Sequence, residues 1–226
     1  MSLEDQNIDE EADAPSGLSP GQSLSSVMWG RSHLVAEEIL GSSSFLLHLR
    51  SGSITQSCYD RFSRQEALYL GLVHRTLEAS YDPDADPDTD PEVGCLLLDT
   101  KELYRSRSFA QDPAAAPRWL RFALQSFHFV VVDNPLYLLV ALSARSFLNS
   151  FVLESVPLPG FMRSPESESL YQRWREEAEE ELTLTHRFKD VIEKHQNKSD
   201  IYKTINVFRE HLMNQKILHR HIECEE

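Results

Sequence analysis

The sequence predicts an all-α protein, a packed multi-helix bundle, and three observations carry that expectation. Apolar and aromatic residues recur at helical rather than alternating spacing, most clearly at positions 58, 59, 62, 69, 70, 73 and 77. Helix start and stop signals bracket such stretches, with Asn134 before Pro135 and with Gly41 and Gly52 after apolar runs. FVVV (129–132) could pass for a strand, but no partner strand is evident nearby, so helices must pack on helices.

In chain order, residues 1–22 are acidic with Pro, Ser and Gly, and are expected to form a disordered tail ahead of one helical domain over 23–226. Helices are expected over Leu24–Leu40, over SSSFLLHLRSG up to Gly52, and over ITQSCYDRFSRQEALYLGLVHRTLEASY from a polar start at Thr55. DPDADPDTDP cannot continue a helix, because each proline disfavours helical backbone in the residue before it. Residues 82–92 therefore read as a disordered acidic loop. A calcium loop would need a glycine at its tight turn, which is missing. LYRSRSFAQD reads as a short helix and APRWLRFALQSFHFVVV as another. Asn134 then caps a helix running to about Glu154, and VPLPG (156–160) is a linker. SESLYQRWREEAEEELTLTHRFKDVIEKH and IYKTINVFREHLMNQKILHRHIE are the last two helices. Tyr59, Phe62, Tyr69 and Leu70 are expected in the core, and REEAEEEL (175–182) on a solvated helix face.

The net charge of −14 is concentrated in two places. Residues 1–14 and residues 82–92 each carry −6 with no Lys or Arg, which leaves −2 for everything else. No basic stripe with interleaved aromatics points to nucleic acid. Cys58, Cys95 and Cys224 are odd in number and lack C-x-x-C spacing, so they read as thiols in a reducing compartment. The acidic N-terminus is unlike a signal peptide, and the longest apolar runs are broken by Asp133, Asn134, Pro135, Arg145 and Asn149. A soluble, cytoplasmic protein is the expectation.

NPLYLLVALSARSFLNSF (134–151) sets Arg145 and Asn149 one helical turn apart on an otherwise dry face. A buried guanidinium requires a carboxylate partner, and Glu66 or Asp112 could supply it.

Three stretches carry a resemblance. In GRSHLVAEE, His33, Ala36 and Glu37 match an H-T-x-A-E pattern. FLLHLRSGSITQSCYDRFSRQEALYLGLVHRTLE follows F-x-x-x-x-x-x-G-x-(V/I)-T and the long helix after it without a gap. KELYRSRSFAQD looks like E-L-x-R-x-x-x-L-x-x-D, with Arg105 and Asp112 in register. Over residues 24 to 154, and more loosely afterwards, the chain thus resembles heme oxygenase. The resemblance implies a bundle of the heme oxygenase-like type, with His33 as the heme-iron ligand and Glu37 orienting it. It places SARSFLN on the distal helix, with Arg145 and Asn149 as the catalytic polar groups. It also implies heme as cofactor and substrate, electrons from a partner reductase, and biliverdin, iron and carbon monoxide as products.

The distal helix departs from the family pattern. Leu148 stands for its first glycine, Asn149 for its aspartate, and Phe151 and Val152 for later glycines. Glycines let that helix touch the porphyrin, and an amide cannot carry a proton as a carboxylate does. Both changes argue against ring cleavage. Cations for the heme propionates would come from Arg173, Arg175, Arg187 and Lys189.

QEALYL (65–70) also looks like the Q-D-Y-x-Y-L helix of TenA-type thiaminases, with Glu66 at the acid. That chemistry needs a cysteine within 134–154, where there is none, and a glutamate where Gln215 falls. A di-iron site would draw on Glu66, His74 and His211. The competing class is a non-enzymatic helical module with a filled, degenerate active site, working through a protein partner.

Overall fold

One apolar helix organises the bundle. In the computed structural model, which describes residues 18, 21–80, 90–108, 117–131, 134–157, 160 and 162–224, that helix is α6, Pro135–Ser155. Asn134 starts it as the sequence predicts, its side-chain oxygen accepting the Leu136 N–H at 2.8 Å with Pro135 in the first turn. Every residue from Leu136 to Leu148 is buried. A helix apolar on all sides must be enclosed by others, and α6 is. Its most apolar window has a mean hydropathy of 1.6, high enough to cross a membrane by composition, but 83% of that window is buried inside the bundle.

The enclosing helices are α1 (Leu24–Ser42), α4 (Pro91–Arg107), α5 (Arg118–Val131), α7 (Pro165–Glu180), α8 (Leu182–Lys194) and α9 (Ile201–Arg220), all of which pack against α6. The short α2 (Ser44–Arg50) and the long α3 (Gln56–Ser80) complete the set, and no strand occurs among the described residues. Local chemistry sets the boundaries. Gly52, at φ +66°, lets the chain turn after α2, a backbone angle that glycine adopts freely. Thr55 Oγ1 then accepts the Cys58 N–H at the head of α3. The start of α1 is held by Glu193 of α8, whose carboxylate accepts from Ser23 Oγ and from the Leu24 and Ser25 N–H groups. The predicted core positions Tyr59, Phe62, Tyr69 and Leu70 are all buried, with the Phe45 and Phe62 rings stacked 3.8 Å apart.

Three expectations are corrected. The helix expected at Leu103 begins twelve residues earlier, at Pro91, with Asp90 Oδ1 accepting the Glu92 N–H at 3.0 Å. The last Asp-Pro of the acidic run is thus a cap followed by a first-turn proline, so residues 90–92 are helix start rather than loop. Phe129–Val131 continue α5, as the helix reading of that stretch expects, while Val132 lies outside the described residues. The helix expected over 167–195 is broken at Glu181. Finally, Cys58 and Cys224 are not thiols but a disulfide, leaving Cys95 free and exposed. Most of residues 1–22, residues 82–89 and Asp112 lie outside the described residues.

The disulfide closes a loop between positions 166 residues apart, which chain-entropy reasoning converts to roughly 2–5 kcal/mol of stability. Thiol titration of the denatured, unreduced protein should therefore find Cys95 alone reactive, and reduction should lower the unfolding midpoint. Three reactive thiols without reduction would contradict the bond.

Candidate functional site

Arg145 lies in the middle of α6, where its neighbours are apolar, and its side chain is only 5% exposed. Its Nη2 donates to Glu66 Oε1 of α3 at 2.8 Å and to Glu181 Oε1 at 2.9 Å. Glu181, 2% exposed, also accepts from Arg107 Nη1 of α4 at 2.5 Å and from Asn149 Nδ2 at 2.5 Å. Arg107 reaches further along α7, donating to the Glu177 carbonyl at 3.0 Å and to Glu180 at 2.8 Å. Tyr59 closes the far side by donating its hydroxyl to Glu177 at 3.1 Å. One carboxylate at the α7–α8 joint therefore collects donors from α4 and α6.

The sequence hid this carboxylate inside REEAEEEL. The buried stripe of α7 runs Leu170, Tyr171, Trp174 and Ala178, and at helical spacing its next inward position is 181. Within that run Glu176, Glu179 and Glu180 are exposed, as a solvated face requires. Arg107 was also missed, because it is one of two arginines at the end of α4 and no apolar periodicity marks it. Of the two partners offered for Arg145, Glu66 is bonded to it, Asp112 lies outside the described residues, and Glu181 was not foreseen.

Burial opposes charge on Arg145, but Glu181 and then Glu66 more than offset that, holding its pKa well above the ordinary value. Burial, together with the Glu66 charge, pushes the Glu177 carboxyl up. His219 of α9, also in this wall, is pushed down to about 4, by burial first and the Arg145 charge second. Next along α9, buried Gln215 is hydrogen-bonded to Tyr69 of α3. The space left among Glu66, Arg107, Arg145, Asn149, Trp174 and His219 is about 20 Å³, roughly room for a single water. Chemically the cluster holds charge. Each of its carboxylates already accepts a hydrogen bond, and α6 carries no cysteine or other thiol to act as a nucleophile.

The other expected groups are elsewhere. His33 is half-buried on α1, with Nδ1 2.9 Å from the Gly30 carbonyl of its own helix, and Glu37 is exposed. Neither joins Arg145 and Asn149. Between α1, α6 and α8 is a half-open cleft of about 210 Å³ lined by Trp29, Phe147, Ser150, Phe151, Glu154 and Lys189, among others. The Trp29 ring crosses it to meet Phe147 at 6.1 Å and Phe151 at 5.5 Å. Sites for drug-sized ligands enclose about 300–1,000 Å³. The side chains between α1 and α6 thus do not fit a porphyrin, because aromatic rings occupy the space where the family pattern has glycine.

Of the four cations expected near heme propionates, Lys189 alone lines this cleft, its ammonium 5.2 Å from the Phe147 ring centre. Arg173 lies over Tyr59, Arg175 pairs with Glu179, and Arg187 pairs with Asp99. Arg105 pairs with Glu102 on the surface. The di-iron set is dispersed as well. Glu66 is committed to Arg145, His74 lies 3.7 Å from Glu78, and His211 lies edge-on to Phe127 with neither ring nitrogen hydrogen-bonded.

No family model and no curated protein matches the chain. Among solved structures, a TenA homologue from P. horikoshii OT3 superposes with a TM-score of 0.65, covering 89% of this chain and 98% of that one at 13% sequence identity. The architecture is TenA-like. At this identity the likeness is one of fold, and it agrees with the all-α, heme oxygenase-like bundle expected from the sequence.

Two measurements test the cluster. Arg145→Met leaves Glu66 and Glu181 short of their shared cation and should cost about 3–5 kcal/mol in chemical denaturation. A loss under 1 kcal/mol would show the ion pairs to be incidental. Acid should also destabilise the fold through His211 and His219, which burial pushes down to about 3 and about 4 from 6.5. Both stay neutral in the native state while the unfolded chain takes up protons. Their contribution is complete above pH 6.5 and is lost as pH falls, by about 2 kcal/mol each at pH 5. In His219→Gln the slope of stability between pH 7 and 5 should flatten.

Proposed function

We propose that this chain is a non-catalytic protein of the TenA-like fold, whose interior has become an ion-paired core and which works by contact with another protein. One observation carries the reading. Arg145, the group that an active distal helix would direct at a ligand, is instead shared between Glu66 and Glu181, with about 20 Å³ left beside it. A catalytic cation must be able to meet its substrate, whereas a buried cation between two carboxylates serves specificity of packing. The outer face of α5 supports a surface role, since Phe122 and Phe129, seven residues apart and therefore on one side, are 57% and 76% exposed.

The alternative of heme held through His33 is decided by hemin titration of the purified chain. We expect no Soret band that depends on His33, and no biliverdin when a reductase and its electron donor are supplied. A stoichiometric band abolished by His33→Ala would overturn the proposal in favour of a heme protein.

A further inference from the structure

A second cluster lies outside the interior, where the start of α4 meets the end of α8. Asp90 caps α4, Glu92 is its second residue, and His195 follows the last residue of α8. One ligand atom from each lies within 4.8 Å of the other two. The histidine makes the cluster more than a pair of surface acids. His195 is 97% buried, since its relative exposure is 3%, and its Nε2 forms no hydrogen bond although it faces Asp90 Oδ2. A buried imidazole nitrogen without a partner carries a desolvation cost that something should offset.

The separation is informative. Nε2 and Oδ2 are 3.4 Å apart, longer than the roughly 2.7–2.9 Å of a charge-assisted hydrogen bond. Two ligands each about 2.1 Å from a tetrahedral ion stand about 3.4 Å apart along one edge. We propose that Asp90, Glu92 and His195 bind a divalent transition-metal cation, with zinc the best match, as a staple between α4 and α8. One imidazole nitrogen and two carboxylates suit zinc, cobalt or manganese, while calcium would require six to eight oxygens. Asp90 can serve both as cap and as ligand, because Oδ1 takes the Glu92 N–H and Oδ2 faces the histidine.

The present counter-ion of Glu92 is the ammonium of Lys194, at 2.7 Å. Both side chains of that pair are more than half exposed, so a dication displaces the lysine at small cost.

The test is calorimetric titration of zinc chloride into chelator-stripped full chain, repeated with cobalt chloride while recording the visible d–d band. One zinc per chain, with a cobalt spectrum of nitrogen–oxygen ligation, is expected. Glu92→Gln, an exposed change, should weaken binding about tenfold or more, and His195→Gln should abolish it. Asp90→Asn, which keeps a capping side chain, should weaken binding while the apo-protein keeps its melting temperature. Zinc should raise that temperature in wild type and not in His195→Gln. Absence of binding, or binding that survives His195→Gln, would overturn the assignment. So would binding lost in Cys95→Ser or His221→Ala, which alter the exposed thiol and an exposed histidine instead.

Discussion

Everything about the interior follows from the charge on Arg145. A guanidinium on the most enclosed helix of a bundle keeps its proton at any pH the protein meets, so the surrounding helices must bring acceptors to it. Glu66 comes from α3. Glu181 comes from the break between α7 and α8, and that break is what permits a carboxylate to face inward at the end of an apolar stripe. Arg107 then balances the second carboxylate from α4. Four helices are thus fixed in rotation about α6 by hydrogen-bond geometry, which apolar packing alone specifies less strictly.

The same arrangement fills the interior of a TenA-like outline while leaving that outline intact. The TenA-like outline needs helices of the right length and order, and these depend on caps and apolar periodicity. A ligand chamber needs small residues on the helices that wall it. Here Phe147 and Phe151 on α6 and Trp29 on α1 fill the wall, while the polar groups around Arg145 satisfy one another.

The legible part of the sequence was the part governed by local rules. Caps at Asn134 and Thr55, the turn at Gly52 and the stripe through Tyr59, Phe62, Tyr69 and Leu70 are short-range signals, and they placed α2, α3 and α6 closely. The burial argument named Glu66 as one of two candidate partners for Arg145 and missed Glu181. What escaped were positions where composition and geometry disagree. Glu181 looks like its exposed neighbours in an acidic run, Asp90-Pro91 looks like the repeats before it, and Cys58–Cys224 joins residues that no spacing rule connects. His33 and Glu37 were placed by family pattern, and on α1 the first is half-buried and the second exposed.

The disulfide divides the molecule covalently in a way the helix packing does not. Residues 58 to 224 form a closed ring that contains α4 to α9 and nearly all of α3. One peptide-bond break anywhere in that ring leaves both pieces attached. α1 and α2 are outside it, held by side-chain contacts such as the Glu193 carboxylate at the head of α1 and the pair between Lys216 and Glu38. A cut between α2 and α3 would therefore release those two helices from the covalent frame and leave them held by packing alone, through the buried side chains of Met28, Ala36, Ile39, Phe45 and Leu49.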